Sequence, residues 1–419
     1  MTRMRWGLLN NPDFRKLWLA ETISLFGSQI TVLALPLTAV LTLQATPMQM
    51  GYLRTAEFLP FLLFTLMAGV WVDRRTKRPL LIFSNVGRAL LLLLVPLLAL
   101  GGLLRMECLY AISFLVGALT VLFQLAYQAY LPSLVAPNEL MEGNSKLLAS
   151  ASMADVGGPG LAGLIIGWLT APLAILLDAC SFLVAAASLG MIRRREPEPA
   201  RVQRGEGLWM QIGQGFRLVF VNPLLRAIVA QAAMYNLFNM VIWALLVLYA
   251  VKELRIGEVA LGFIMAAGSI GSLVGSLLAK RMAERVGVGA ALVGGMTVGC
   301  AAPLILLMAE GGTPLAPVIL TVYLFVAGCG VAMSNVHVIS LRQSVTPAHL
   351  FGRMNASYRF IVTGTIPIGS FLGGYLGDLF GMKTALIIGA AGLLLAPLWV
   401  VFSPVPGLKS LPVEAPAGR

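Results

Sequence analysis

The chain has 419 residues, 58% of them hydrophobic and 11% charged, with a mean hydropathy of +0.87. A soluble globular domain holds about 45–50% apolar and about 25% charged residues, so this balance excludes one and makes lipid the solvent. The formal charge of +12 does not point to nucleic acid, because the basic residues sit in short loops between apolar runs, where anionic lipid headgroups are their partners.

Crossing a hydrocarbon layer of about 30 Å takes about 20 mostly apolar residues in a helix. Twelve such runs predict transmembrane helices over 15–43, 48–72, 79–101, 107–131, 144–168, 171–192, 223–250, 257–279, 288–309, 314–341, 353–377 and 383–403. Their length and continuity are helical, unlike the alternation of a membrane β-barrel. The first run is long and follows Asn11-Pro12-Asp13-Phe14-Arg15-Lys16, so it reads as a span and not as a removed leader. With the amino terminus inside, the inside segments hold about 22 Lys and Arg and the outside loops about 4, which predicts both termini on the cytoplasmic side of the membrane.

Four segments follow: a six-helix bundle over 1–192, a cytoplasmic linker over 193–221, a second six-helix bundle over 222–404 and a tail over 405–419. The linker opens with Arg193-Arg194-Arg195-Glu196-Pro197-Glu198-Pro199 and ends near Trp209–Phe220 in a stretch patterned as an amphipathic helix on the membrane surface. The two halves look like copies. Asn11-Pro12 and Arg15 return as Asn222-Pro223 and Arg226, and Gly51 as Gly262. Leu131, Val135, Pro137 and Leu140 return as Leu341, Val345, Pro347 and Leu350, and Gly163 and Gly167 as Gly373 and Gly377. Parallel six-helix repeats build one common transporter architecture.

The loop after the second run reads Gly69-Val70-Trp71-Val72-Asp73-Arg74-Arg75-Thr76-Lys77-Arg78. A glycine there lets a neighbouring helix approach, and an acid can hold a basic neighbour or face a helix amino terminus. This pattern resembles motif A of the major facilitator superfamily. The resemblance implies that Asp73, with Gly69, Arg74, Lys77 and Arg78, latches an outward-facing state. The fifth run carries Asp155-Val156-Gly157-Gly158-Pro159-Gly160-Leu161-Ala162-Gly163, whose small residues flatten one face and whose proline allows a bend. Gly158, Pro159 and Gly163 resemble the antiporter motif of exporting members. Asn11–Trp18, Ser24-Leu25-Phe26-Gly27, Leu131-Pro132-Ser133-Leu134-Val135 and Leu177–Leu183 resemble the drug-exporter-like branch that holds macrolide efflux and enterobactin exporter proteins.

Ionisable residues inside spans are costly and therefore functional candidates. Asp155, on the antiporter-like segment, is the first choice for a proton-coupling carboxylate, and a structural ion pair is the alternative. Glu57 and Glu21 follow. Arg54 lies three residues before Glu57, within reach of a local pair. Arg88 and Asp178 read as an intramembrane ion pair. No GxxxxGK[ST], HExxH or GxSxG segment and no Cys/His cluster is present, so no ATP-driven step, enzyme, catalytic residue, metal or cofactor is expected.

The sequence therefore reads as an all-α membrane protein with the major facilitator superfamily fold of twelve helices in two pseudo-repeats. It is expected to export amphipathic small molecules such as macrolides by proton antiport. Its expected partners are the substrate, protons and membrane lipids, with no nucleic acid, and it is expected to be a monomer. A siderophore or lipid exporter, an importer and a non-transporting scaffold or sensor remain open alternatives.

Overall fold

The computed structural model describes residues 7–194, 196, 208–347 and 350–412, without the side chains at 66, 70, 73, 208, 209, 211 and 212. Residues 195 and 197–207 of the predicted linker and the end of the tail lie outside the described residues. The helices are α1 Pro12–Leu37, α2 Pro47–Asp73, α3 Lys77–Leu100, α4 Met106–Leu134, α5 Leu140–Leu169, α6 Ala171–Gly190, α7 Leu208–Val221, α8 Pro223–Lys252, α9 Glu258–Val286, α10 Val288–Ala301, α11 Pro303–Leu306, α12 Ala316–Ser344, α13 Phe351–Phe380, α14 Met382–Leu395 and α15 Leu398–Val401. Eleven stretches among the described residues are long and apolar enough to cross a membrane. Helix α2, 27 residues long, occupies the second predicted span.

Two runs expected to be continuous are interrupted. The ninth breaks between α10 and α11 and the twelfth between α14 and α15. Pro303 and Pro397 stand at the breaks, where the missing N–H and the ring disfavour an unbroken helix. Pro36 has a milder consequence: α1 passes into a wider π-helical turn over Thr38–Thr42.

Chain contacts divide the molecule into two compact units. Unit 1 comprises Met1–Ala45 and Ala56–Gln203, and unit 2 comprises Thr46–Thr55 and Arg204–Arg419. In unit 1, α1 packs on α5 and α6, and α3 packs on α4 and α6. In unit 2 the helices displaced by about 211 residues repeat this: α8 packs on α13 and α14, and α10 on α12 and α14.

The repetition reaches individual residues. Asn11 Oδ1 accepts from the backbone N–H of Asp13 and Phe14, and Asn222 Oδ1 accepts from Leu224 and Leu225, in each case at 3.0 and 3.3 Å. Both asparagines cap a helix whose first residue is proline, where the missing N–H costs nothing. The segments begun by α1 and α8 each end through a left-handed residue, Gln44 at φ 52° and Arg255 at φ 56°, 211 apart. In α4, a Cβ added to Gly117 would meet Glu57 O of α2 at 2.4 Å. In α12, one added to Gly328 would meet Gly268 O of α9 at 2.2 Å, again 211 residues on.

Within unit 2, Thr46–Thr55 lies along α13. A Cβ on Gly51 would come within 2.7 Å of Gly374 Cα, and Thr55 Oγ1 donates to Pro367 O at 3.2 Å. The linker helix α7 buries Val219 and sets Phe216 edge-on to Phe360 of α13 at 6.1 Å. It leaves Phe220 and Val221 exposed. One side thus packs on protein, and the other exposes apolar side chains.

Candidate functional site

Unit 1 holds most of the intramembrane charges singled out in the sequence. On α6, Asp178 is 1% exposed. Thr31 Oγ1 of α1 donates to its Oδ2 at 2.5 Å, and Ser181 Oγ lies 3.1 Å from its Oδ1. This closeness requires Gly27 of α1: an added Cβ would lie 2.2 Å from Ser181 Oγ and 2.6 Å from Asp178 Oδ1. A helix can bring its backbone this near to a polar neighbour only where it has no side chain.

On α3, Arg88 is 5% exposed. Its guanidinium lies between two phenyl rings, 4.3 Å from the centroid of Phe123 and 4.1 Å from that of Phe182, and donates to Asn85 Oδ1 at 2.6 Å. Cations bind the faces of aromatic rings, and the attraction grows when water is excluded. The expected direct ion pair between Arg88 and Asp178 is not formed. The acid takes hydroxyl donors from α1 and α6, while the rings and Asn85 hold the guanidinium. Both acids Asp178 and Glu21 still act on Arg88 through their fields. Tyr127, stacked on Phe123 at 5.7 Å, lies in the field of Glu21 as well.

Glu21, on α1, is half-buried. Asp155, on α5, is exposed and accepts from Gln29 Nε2 of α1 at 2.8 Å. The antiporter-like segment forms the contact beside it. Gly158, Pro159 and Gly163 are buried, and a Cβ on Gly158 would meet Gln29 Cγ at 2.5 Å. Arg54 is buried on the part of α2 grouped with unit 2, and Glu57 is half-buried on the part grouped with unit 1.

At the loop after α2, the side chain of Asp73 is outside the described residues. Among the described residues, a Cβ added to Gly69 would meet nothing within 4 Å. Arg74 is exposed. Lys77 Nζ donates to Val72 O at 3.0 Å and Arg75 O at 2.7 Å. Arg78 donates from Nε to Leu189 O at 2.9 Å and from its guanidinium to Gly190 O. Glu196, from the start of the linker, accepts from the backbone N–H of Lys77 at 2.6 Å and of Arg78 at 2.5 Å. An anion thereby caps the amino terminus of α3, where free N–H groups and the helix dipole favour it. The sequence does not single out Glu196, nor Gln29, Thr31, Asn85 and Ser181. Only Glu196 carries a signal there, an acid set among basic residues and prolines. Among the described residues no group of three or more His, Cys, Asp or Glu is placed to hold a metal.

The family described as Transmembrane secretion effector matches residues 4–417. The multidrug efflux pump Tap of Mycolicibacterium fortuitum is 26% identical over 389 residues, covering 90% of this chain and 92% of that protein. The enterobactin exporter EntS of Salmonella typhimurium is 25% identical over 414 residues, 95% of each chain. Among solved structures, the nucleoside transporter NupG superposes with a TM-score of 0.74 at 12% identity, over 93% of this chain and 98% of that one. A bacterial homologue of the iron transporter ferroportin in an inward-facing state gives 0.71 at 19% identity, over 94% and 98%. These structural likenesses concern the fold.

Proposed function

The chain belongs to the Transmembrane secretion effector family of the major facilitator superfamily and is a multi-pass membrane transporter rather than an enzyme, and from that premise we propose that it exports amphipathic small molecules, drug-like compounds such as macrolides, by proton antiport. It works by alternating access, as a monomer in a bacterial inner membrane with both termini inside. The orientation rests on the distribution of Lys and Arg.

One observation carries the coupling. A single helix, α1, engages two intramembrane carboxylates through side chains two residues apart: Gln29 holds Asp155 of α5, and Thr31 holds Asp178 of α6. Adding or removing a proton on an acid of this set changes the bonds joining these helices, which is what a proton must do to bias a conformational equilibrium. The driving force is adequate, since one charge crossing the membrane potential yields about 2.3 kcal/mol per 100 mV. Asp155, Glu57 and Glu21 are the candidates for the titrating group. The loop of Gly69, Asp73, Arg74, Lys77 and Arg78 serves as the latch.

The test uses inverted membrane vesicles with an acidified lumen, challenged with erythromycin and with ethidium. Substrate-dependent proton release is expected from vesicles containing the wild-type chain. Asp73→Asn should reduce drug efflux at least about 10-fold, equivalent to about 1.4 kcal/mol in the rate-limiting step, at normal membrane abundance. Unchanged proton flux with both probes would count against antiport of such compounds. The likeness to EntS favours a second reading, a siderophore exporter, and a catecholate siderophore added to the same vesicles separates the two.

A further inference from the structure

Two groups in unit 1 lack partners, and the same proton accounts for both. Arg88 Nε is buried with no hydrogen-bond acceptor, although the rest of its guanidinium is held by Asn85, Phe123 and Phe182. A buried donor left unpaired is costly and calls for a reason. Glu21 accepts no hydrogen bond and forms no ion pair among the described residues, although its field reaches Arg88. A carboxylate whose field reaches a buried guanidinium in an apolar bundle would ordinarily be joined to it.

Unit 1 also holds Asp178 on α6, Tyr127 on α4, Glu57 on α2 and Asp155 on α5, of which Asp178 acts on Arg88 and Tyr127 lies in the field of Glu21. Asp178 is sealed from water and already takes Thr31 and Ser181. Tyr127 is a phenol stacked on Phe123. Asp155 is bonded to Gln29, eight residues beyond Glu21 on α1 and so about 12 Å along the helix. Around Arg88, two ionised carboxylates against one guanidinium leave one uncompensated negative charge, and a single proton removes it. Glu21, half-buried, is the more exposed of the two carboxylates.

We propose that Glu21 is the proton-exchanging group of this transporter, that the Nε–H of Arg88 is its partner when it is ionised, and that the arrangement seen is the protonated one. This rests on the antiport reading and adds which group carries the proton and what it holds after release. Deprotonation sends the proton to water and leaves a carboxylate that closes onto Arg88. Reprotonation opens the pair, and the guanidinium stays between its two rings. Asp178 remains the fixed counter-ion.

The experiment is pH-difference infrared spectroscopy on the purified full-length chain in phospholipid vesicles, with carboxyl-13C-labelled glutamate. One labelled carboxylic-acid band should disappear as the pH is raised. Glu21→Gln should lack that band, and Asp155→Asn should keep it. Should Glu21→Gln fail to accumulate, Glu21→Asp serves instead, because the titrating band then loses its isotope shift. A labelled band that persists in Glu21→Gln, or the absence of any titrating glutamate in the wild-type chain, overturns the proposal. A titrating Glu21 without substrate-dependent proton release leaves the proposal standing and removes the antiport reading. Proton release unaltered in Glu21→Gln does the reverse.

Discussion

At the scale of single residues, three of the charges in unit 1 are tolerable because each is matched to neighbours of its own kind. Asp178 takes hydroxyls, Arg88 takes two aromatic faces and an amide, and Asp155 takes an amide from another helix. None of these contacts is a direct ion pair, although two of the groups carry opposite charge. Gly27 sets the spacing for Asp178, so Gly27→Ala is expected to destabilise by about 1–3 kcal/mol, the usual cost of forcing a methyl group into a filled site. A thermal unfolding curve in detergent checks this, and a midpoint equal to wild type would show that α1 and α6 separate freely. The charged members of the site are legible in the sequence because any Asp, Glu or Arg in an apolar run stands out. Their partners are not. Thr31, Ser181 and Gln29 are ordinary residues in membrane helices, and only the rotation of each helix about its axis turns them towards an acid.

At the scale of elements, the joints between helices carry the clearest local chemistry. Thr170, between α5 and α6, has φ 80° and ψ 153°, and its counterpart Gly381, between α13 and α14, has φ 84° and ψ 154°. This region suits glycine and costs other residues about 1–3 kcal/mol, against the lesser entropy lost on ordering a glycine, about 1 kcal/mol. The strain is the larger effect, so Thr170→Gly is expected to raise stability by about 1 kcal/mol while Gly381→Thr lowers it. The two melting temperatures, measured side by side, decide the matter, and a fall for Thr170→Gly would contradict it. The helix caps behave alike in both units. Asn11→Ala and Asn222→Ala should each cost about 1 kcal/mol, because each leaves two backbone donors unsatisfied. The Asn-Pro pairs stand out in the amino-acid sequence as a repeat. The breaks at Pro303 and Pro397 do not, since apolar content alone marks a span and says little about whether its helix is continuous.

At the scale of the whole molecule, the proposed topology, which rests on the distribution of Lys and Arg, has the loop at 74–78 and the tail on one face and Arg105 and Lys383 on the other. Single cysteines introduced by Arg75→Cys, Lys409→Cys, Arg105→Cys and Lys383→Cys, in a chain freed of its own four cysteines, should label from the inside, inside, outside and outside respectively. Labelling of Arg75→Cys and Lys409→Cys from opposite faces would sink the proposed topology. The exposed leucines that cover the spans, such as Leu97, Leu100 and Leu277, belong to this scale as well. They meet acyl chains, so helix association in each unit depends on close packing at small residues more than on burying oily surface.

The amino-acid sequence by itself determined that the chain is helical, crosses a membrane many times, is built from two copies and belongs among the major facilitator transporters. The first two properties follow from a solvent that demands long apolar runs, a one-dimensional requirement that can be read residue by residue, while the copies show in recurring residues and the superfamily in the resemblance of its motifs. Only the tertiary structure decided that Arg88 sits between Phe123 and Phe182, that Glu196 caps α3, that Thr46–Thr55 groups with unit 2 and that Glu21 has no bonded partner among the described residues. These depend on how far each helix is rotated and how closely its glycines let a neighbour come. Side chains from four helices that are distant in sequence set those quantities together, and no single stretch records them.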